Sequence, residues 1–117
     1  MKFTTLVTIV PDIHEERAIE VAKLSGAGSV TILKGKHIGL EEKKIFFGLT
    51  LEENVTVLIF ILPVKLSIRV MRALKSEFNM NNHKESNAIA FNIPIGHVVG
   101  IDKEELHSFE KDIETIL

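Results

Sequence analysis

Five histidines are the side chains best suited to hold a metal here, and their spacing keeps them apart. His14, His37, His83, His97 and His107 include no pair three or four residues apart, the separation that puts two ligands on one helix face. They read as solvent-facing or hydrogen-bonded residues. The acidic pairs Glu15-Glu16, Glu41-Glu42, Glu52-Glu53 and Glu104-Glu105 are sequence neighbours, so their carboxylates point different ways and are poorly placed for paired acid–base work. None of the six serines lies in a nucleophile elbow. Gly26-Ala27-Gly28 begins like a dinucleotide fingerprint, but Thr31 stands where the third glycine belongs and the segment precedes a strand. Cysteine is absent, which excludes disulfides, thiolate catalysis and cysteine-ligated zinc. The expectation is a protein that is not an enzyme.

Charge is distributed in blocks. Lys65, Arg69, Arg72 and Lys75 recur at spacings of four, three and three, forming one positive stripe on a helix, whereas the segment from Asp102 onward carries six acids against Lys103 and Lys111. The favoured account is solvation of helix faces; the other is complementarity between the acidic terminal segment and the basic stripe. Overall the 14 basic and 16 acidic residues nearly cancel, so no net field points to nucleic acid or an anionic membrane. With 117 residues and 45% hydrophobic side chains, the chain fits a single domain spanning 1–117. Val55 to Leu62 is too short to cross a bilayer and Met1 to Val10 leads to no cleavage site, so a cytoplasmic protein without membrane insertion is expected.

The elements follow from periodicity. Strands are expected at Phe3 to Val10, Ser29 to Lys34, Val55 to Leu62 and Ala88 to Ile93, with a short fifth at His97 to Ile101. Asp12 and Glu15 suggest a capping pair for a helix that runs to about Leu24 and stops at Gly26-Ala27-Gly28. A second helix after Pro63 turns Leu66, Val70, Met71, Leu74 and Phe78 inward, and Asp102 with Glu105 suggest a C-terminal helix over 102–117. The order β-α-β-β-α-β is an α+β, ferredoxin-like arrangement. Between the second and third strands lie the 20 residues from Gly35 to Asn54, far more than a hairpin needs.

That order, with a long loop reached through Lys34-Gly35, resembles the nitrogen-regulatory P-II signalling proteins. The likeness rests on Gly28-Ser29-Val30-Thr31-Ile32-Leu33-Lys34-Gly35, the strand ending in Pro63, and Ile89-Ala90-Phe91-Asn92-Ile93. The run Ala90 to Gly100 is similar to the divergent P-II-like branch. The resemblance covers roughly the first hundred residues. It implies a homotrimer whose clefts bind adenine nucleotides (ATP, ADP or AMP) and whose loops engage a transporter, enzyme or transcription factor. It would place Ser29 and Val64 beside the base, and Lys34, Gly35, Lys84, Ser86 and Asn87 along the phosphates. Lys36, His37, Phe46, Phe47 and Leu49 would form the partner-binding loop.

The chain departs from the family pattern at two places. The segment Asn79 to Asn87, where the family has a glycine-rich and basic phosphate loop, has no glycine and one fixed cation, Lys84, beside Glu85. Nucleotide binding is therefore expected to be weak and to discriminate poorly between triphosphate and monophosphate. The family's modified loop tyrosine has no counterpart, because the chain contains no Tyr. The alternative reading is a trimeric metal-tolerance protein of the CutA type, which shares the fold and would need ordered His or carboxylate ligands.

Overall fold

Alternation along the first strand sets the architecture. In β1 (Phe3–Pro11), Thr4, Leu6, Thr8 and Val10 are all buried, and in β5 (Glu52–Pro63) so are Thr56, Leu58, Phe60 and Leu62. The antiparallel register sets Leu6 against Phe60, Thr8 against Leu58 and Val10 against Thr56, so both rows share one face. The computed structural model describes residues 2–40, 45–46, 49–50, 52–82 and 88–101. Within them the chain runs β1, a 3-10 turn (Asp12–His14), α1 (Glu15–Leu24), β2 (Thr31–Ile38), β3 (Ile45–Phe46), β4 (Leu49–Thr50), β5, α2 (Val64–Glu77) and β6 (Ile89–Pro94). The main sheet has the order β2-β5-β1-β6, with every neighbouring pair antiparallel. This is the expected ferredoxin-like α+β arrangement.

Both helices lie on the buried face. Ala18, Val21 and Ala22 of α1 and Leu66, Val70 and Leu74 of α2 close the core over Leu6, Val10, Leu58, Phe60 and Leu62. Each buried Leu or Phe contributes roughly 1.5–3 kcal/mol, so this single layer supplies most of the apolar stabilisation. Met71 and Phe78, expected inward, are partly buried against it. Ser67 is fully buried, which periodicity did not suggest; its hydroxyl donates to Asn92 Oδ1 at 2.7 Å and fastens α2 to β6. Arg17 of α1 bonds Glu77 of α2 and joins the two helices at the surface.

The opposite face of the sheet is apolar too. Leu33, Ile61, Ile89, Phe91 and Ile93 stand on it, and they are 40–55% exposed.

Several boundaries differ from those expected. β2 begins at Thr31 rather than Ser29 and continues through Gly35 to Ile38, because β5 also starts early, at Glu52, and offers a partner. Lys36, His37 and Ile38 pair with Asn54, Glu53 and Glu52, and Lys36 Nζ lies 3.3 Å from Glu52 Oε2. Both ends of the expected loop are therefore ladder, and between them β3 and β4 form a hairpin with Phe46 opposite Leu49. Ladder pairing carries the strand through Gly35, the expected start of the loop. Asp12 does not cap α1: the N-cap is His14, with no side-chain cap hydrogen bond, because the Asp12 carboxylate is engaged across the sheet. Gly26 stops α1 as expected, at φ 115°, while the Ala27 amide bonds the Ala22 carbonyl. His97 to Ile101 forms no strand; the ladder ends at Pro94 and Gly100 takes φ 89°. The expected helix over 102–117 lies outside the described residues.

Candidate functional site

Lys34 sits on the helix-side face of β2, opposite Thr56 of β5. Thr56 is fully buried, and its hydroxyl must find an acceptor in place of water. It donates to Asp12 Oδ1 at 2.8 Å, using the carboxylate that the 3-10 turn after β1 delivers. The Lys34 ammonium donates to Thr56 Oγ1 at 3.0 Å, and its Nζ lies 2.9 Å from Glu15 Oε1 and 3.4 Å from Asp12 Oδ1. Three oxygens thus meet the three donors of one ammonium. The hydrogen bond to Glu15 is the main reason the Lys34 pKa is raised, with partial desolvation opposing it. One cation against two carboxylates leaves the cluster at a net charge of −1. For Lys34 to meet a phosphate, it would have to exchange two carboxylate contacts for the new one.

The residues singled out from the sequence fall into two groups along the sheet. Lys34 and Gly35 lie on β2 at the end marked by the pair Pro11 and Val55. Gly35 takes no left-handed φ, and an added Cβ would meet Val55 Cγ2 at an ordinary 3.7 Å. Ser29 precedes β2 at its other end, where Thr31 faces Ile59, and Val64 opens α2 directly after Pro63 at that same end. Both are exposed. Lys36 and His37 lie further out on β2, exposed, beside Glu52 and Glu53. The backbones of Phe46 and Leu49 pair in the β3–β4 hairpin. Phe47, Lys84, Ser86 and Asn87 lie outside the described residues.

The partners of Lys34 do not stand out in the sequence. Asp12 and Glu15 have the spacing of a helix cap, and Thr56 is one strand residue among several. The signal was present in the alternation: once β2 and β5 are aligned, Lys34 and Thr56 must share a face, and the turn after Pro11 opens above them. Another missed feature is Thr8, whose hydroxyl is buried with no hydrogen-bond partner among the described residues. Among those residues no group of three His, Asp or Glu is gathered as for a metal ion.

The sequence matches no protein-family model and no curated protein sequence. The structure is similar to the periplasmic divalent cation tolerance protein CutA from Archaeoglobus fulgidus, at TM-score 0.63 and 18% identity, covering 95% of this chain and 98% of that one. It is similar to CPII, a nitrogen regulatory PII-like protein from Thiomonas intermedia K12, solved with ADP, AMP and bicarbonate, at TM-score 0.58 and 16% identity, covering 85% and 98%. The chain has the fold of the P-II-like and CutA proteins. A Bacillus cereus protein related to NIF3 contains the same fold, at TM-score 0.62 and 16% identity over 82% of this chain, and there the chain spans 26% of the other protein's length. In this P-II/CutA fold the apolar outer face of the sheet and the β2 extension carrying Lys36 and His37 are both exposed among the described residues. No helix among the described residues is long and apolar enough to cross a membrane.

Proposed function

We propose that the protein is a non-enzymatic, self-associating regulator of the P-II-like kind, acting in the cytoplasm on a partner linked to nitrogen metabolism or transport. The observation that carries this reading is the second sheet face. A sheet covered by helices on one side and bearing Leu33, Ile61, Ile89, Phe91 and Ile93 on the other suits burial against further copies of itself. The assembly we infer is the homotrimer that the family resemblance implies, with one domain spanning 1–117 in each subunit. The extension of β2 and β5, tipped by the β3–β4 hairpin, would be the arm that meets a transporter, enzyme or transcription factor through Lys36, His37, Phe46, Phe47 and Leu49. An adenine nucleotide would bind weakly between subunits, with Ser29 and Val64 near the base and Lys34, Gly35, Lys84, Ser86 and Asn87 near the phosphates. Pairing of Lys34 with Asp12 and Glu15 supports weak rather than tight phosphate binding.

Light scattering on the purified chain tests the assembly, and calorimetric titration with ATP, ADP and AMP tests the site. A monodisperse monomer at micromolar concentration overturns the first part. Tight, magnesium-dependent ATP binding overturns the second. A CutA-like role in metal tolerance is the second reading, favoured by near-complete mutual coverage with that structure. Competition of the protein with a copper or zinc indicator dye separates it from the first.

A further inference from the structure

Two rows of side chains run side by side along the outward surface of α2. Leu66, Val70 and Leu74 face the core, which turns Lys65, Arg69 and Arg72 to the opposite side at spacings of four and three. Val64, Ile68 and Met71 repeat that spacing one position earlier, and Lys75 closes the second row. Val64 and Ile68 are 39% and 43% exposed, so an apolar strip lies beside a basic one. None of the four cations forms an ion pair among the described residues, and the one acid of this helix, Glu77, is taken by Arg17 of α1.

This arrangement disfavours the helix that carries it. Like charges three and four residues apart repel, and Lys65 lies in a first turn without an acid, where the helix dipole opposes a cation. Solvation of a helix face requires charge but not charge of one sign, and a mixed row would avoid both penalties. A row of one sign beside exposed apolar side chains instead complements a ligand that is anionic and partly apolar.

Anionic occupants differ in what they would meet here. A bilayer is flat and would also press on α1, which is joined to α2 through Arg17 and exposes Glu16 and Glu20. A nucleic-acid duplex meets the same carboxylates, and a net charge of −2 gives it no long-range attraction. A single strand is narrower but relies on aromatic platforms, and α2 has no aromatic residue. An acidic helix is about 10 Å wide, places its carboxylates at the same spacings of three and four, and brings an apolar row of its own. It fits along the roughly 15 Å from Lys65 to Lys75 on α2 alone. The open face lies on the other side of the sheet, so self-association there leaves α2 accessible.

We infer that the outward surface of α2 docks an acidic amphipathic helix of another protein, with its carboxylates on Lys65, Arg69 and Arg72 and its apolar row on Val64 and Ile68. This docking needs neither nucleotide nor assembly and uses a surface other than the β2–β5 arm. It therefore holds or fails independently of the regulatory reading.

Fluorescence anisotropy of the full chain with a labelled synthetic peptide tests it. The probe is a helix of about four turns with Glu at spacings of three and four beside a row of Leu, and the control is a scrambled peptide of the same composition. The patterned peptide is expected to bind at least about tenfold more tightly than the scrambled one. Arg69→Glu/Arg72→Glu should weaken binding about tenfold and flatten its salt dependence, a change matching reversal at two exposed ion pairs. Ile68→Ser should also weaken it about tenfold while keeping the wild-type salt dependence. A peptide with Lys in place of Glu should bind the charge-reversed chain better than the wild type. Circular dichroism checks folding, and if the charge-reversed chain does not fold, Ile68→Ser and the scrambled peptide decide. Equal binding of the scrambled peptide, wild-type affinity in Ile68→Ser, or tighter binding of a uridine oligonucleotide or of phosphatidylserine vesicles would each overturn the inference.

Discussion

Ser67 Oγ and Asn92 Oδ1, 2.7 Å apart, form the hydrogen bond that joins α2 to the edge strand β6. The serine is fully buried, whereas the asparagine reaches solvent. Loss of the hydroxyl therefore leaves Asn92 able to turn to water, and the cost is that of one ordinary hydrogen bond. Ser67→Ala is expected to lower stability by about 1 kcal/mol, read as a shift of the urea midpoint without a change of slope.

Gly26 and Gly35 should respond in opposite ways to the same substitution. At φ 115°, with Leu66 Cδ1 only 2.9 Å from where a Cβ would stand, Gly26→Ala is expected to cost about 1–3 kcal/mol. Gly35 has an ordinary φ and room for a methyl group, so Gly35→Ala should be neutral or stabilise by up to about 1 kcal/mol. Paired thermal melts check both. A destabilised Gly35→Ala would show that this position needs a freedom the strand does not use.

The ion pair between the helices predicts an acid dependence. The hydrogen bond from Arg17 holds the Glu77 carboxyl below its ordinary range. A carboxyl with a lowered folded-state pKa contributes stability above its unfolded value, about 4.3, and loses it as pH falls through the folded value. Melting temperature in Glu77→Gln should therefore fall less steeply than in the wild type as the pH drops below about 4.3.

Lys34 has the opposite sign. Its pKa is raised, chiefly by Glu15, so its contribution is complete below the unfolded value of about 10.4 and is lost as pH rises through the folded value. Lys34→Met removes this alkaline loss and leaves Asp12 and Glu15 facing each other without a cation. Titration of urea stability between neutral and strongly alkaline pH checks the sign. A Lys34→Met variant with the wild-type alkaline slope would contradict it.

Phe91 stands on the open face, midway along the edge strand β6 and opposite Val7 on β1. If that face is where subunits meet, Phe91→Asp should convert the assembly to monomer in light scattering while far-ultraviolet circular dichroism is kept. A variant that keeps the wild-type mass would remove this face from the interface.

How much of the structure was legible in the sequence differs from one residue to the next. The helix after Pro63 and the inward set Leu66, Val70 and Leu74 could be read because 3.6-residue periodicity is a local signal. The stop at Gly26 could be read because few other residues accept that φ. The continuation of β2 through Gly35 could not, since a strand's length is decided by its neighbour, and nothing near Gly35 states that β5 begins at Glu52. The site around Lys34 failed for the same reason. Asp12 looked like a cap because capping is a local rule, whereas its actual partner, Thr56, is 44 residues away in the chain.

The two edges of the sheet are guarded unequally. β2 presents Lys34 and Lys36 along its length, charges that discourage another strand from adding to it. β6 at the other edge reads Ile-Ala-Phe-Asn-Ile-Pro, without a charge and with only the terminal Pro94 to interrupt a ladder. A chain that meets no copy of itself would thus offer both an apolar face and an uncharged backbone edge at Phe91. Colloidal stability is then the property most exposed to dilution, truncation or mutation, and turbidity should rise at temperatures where the helices are still intact.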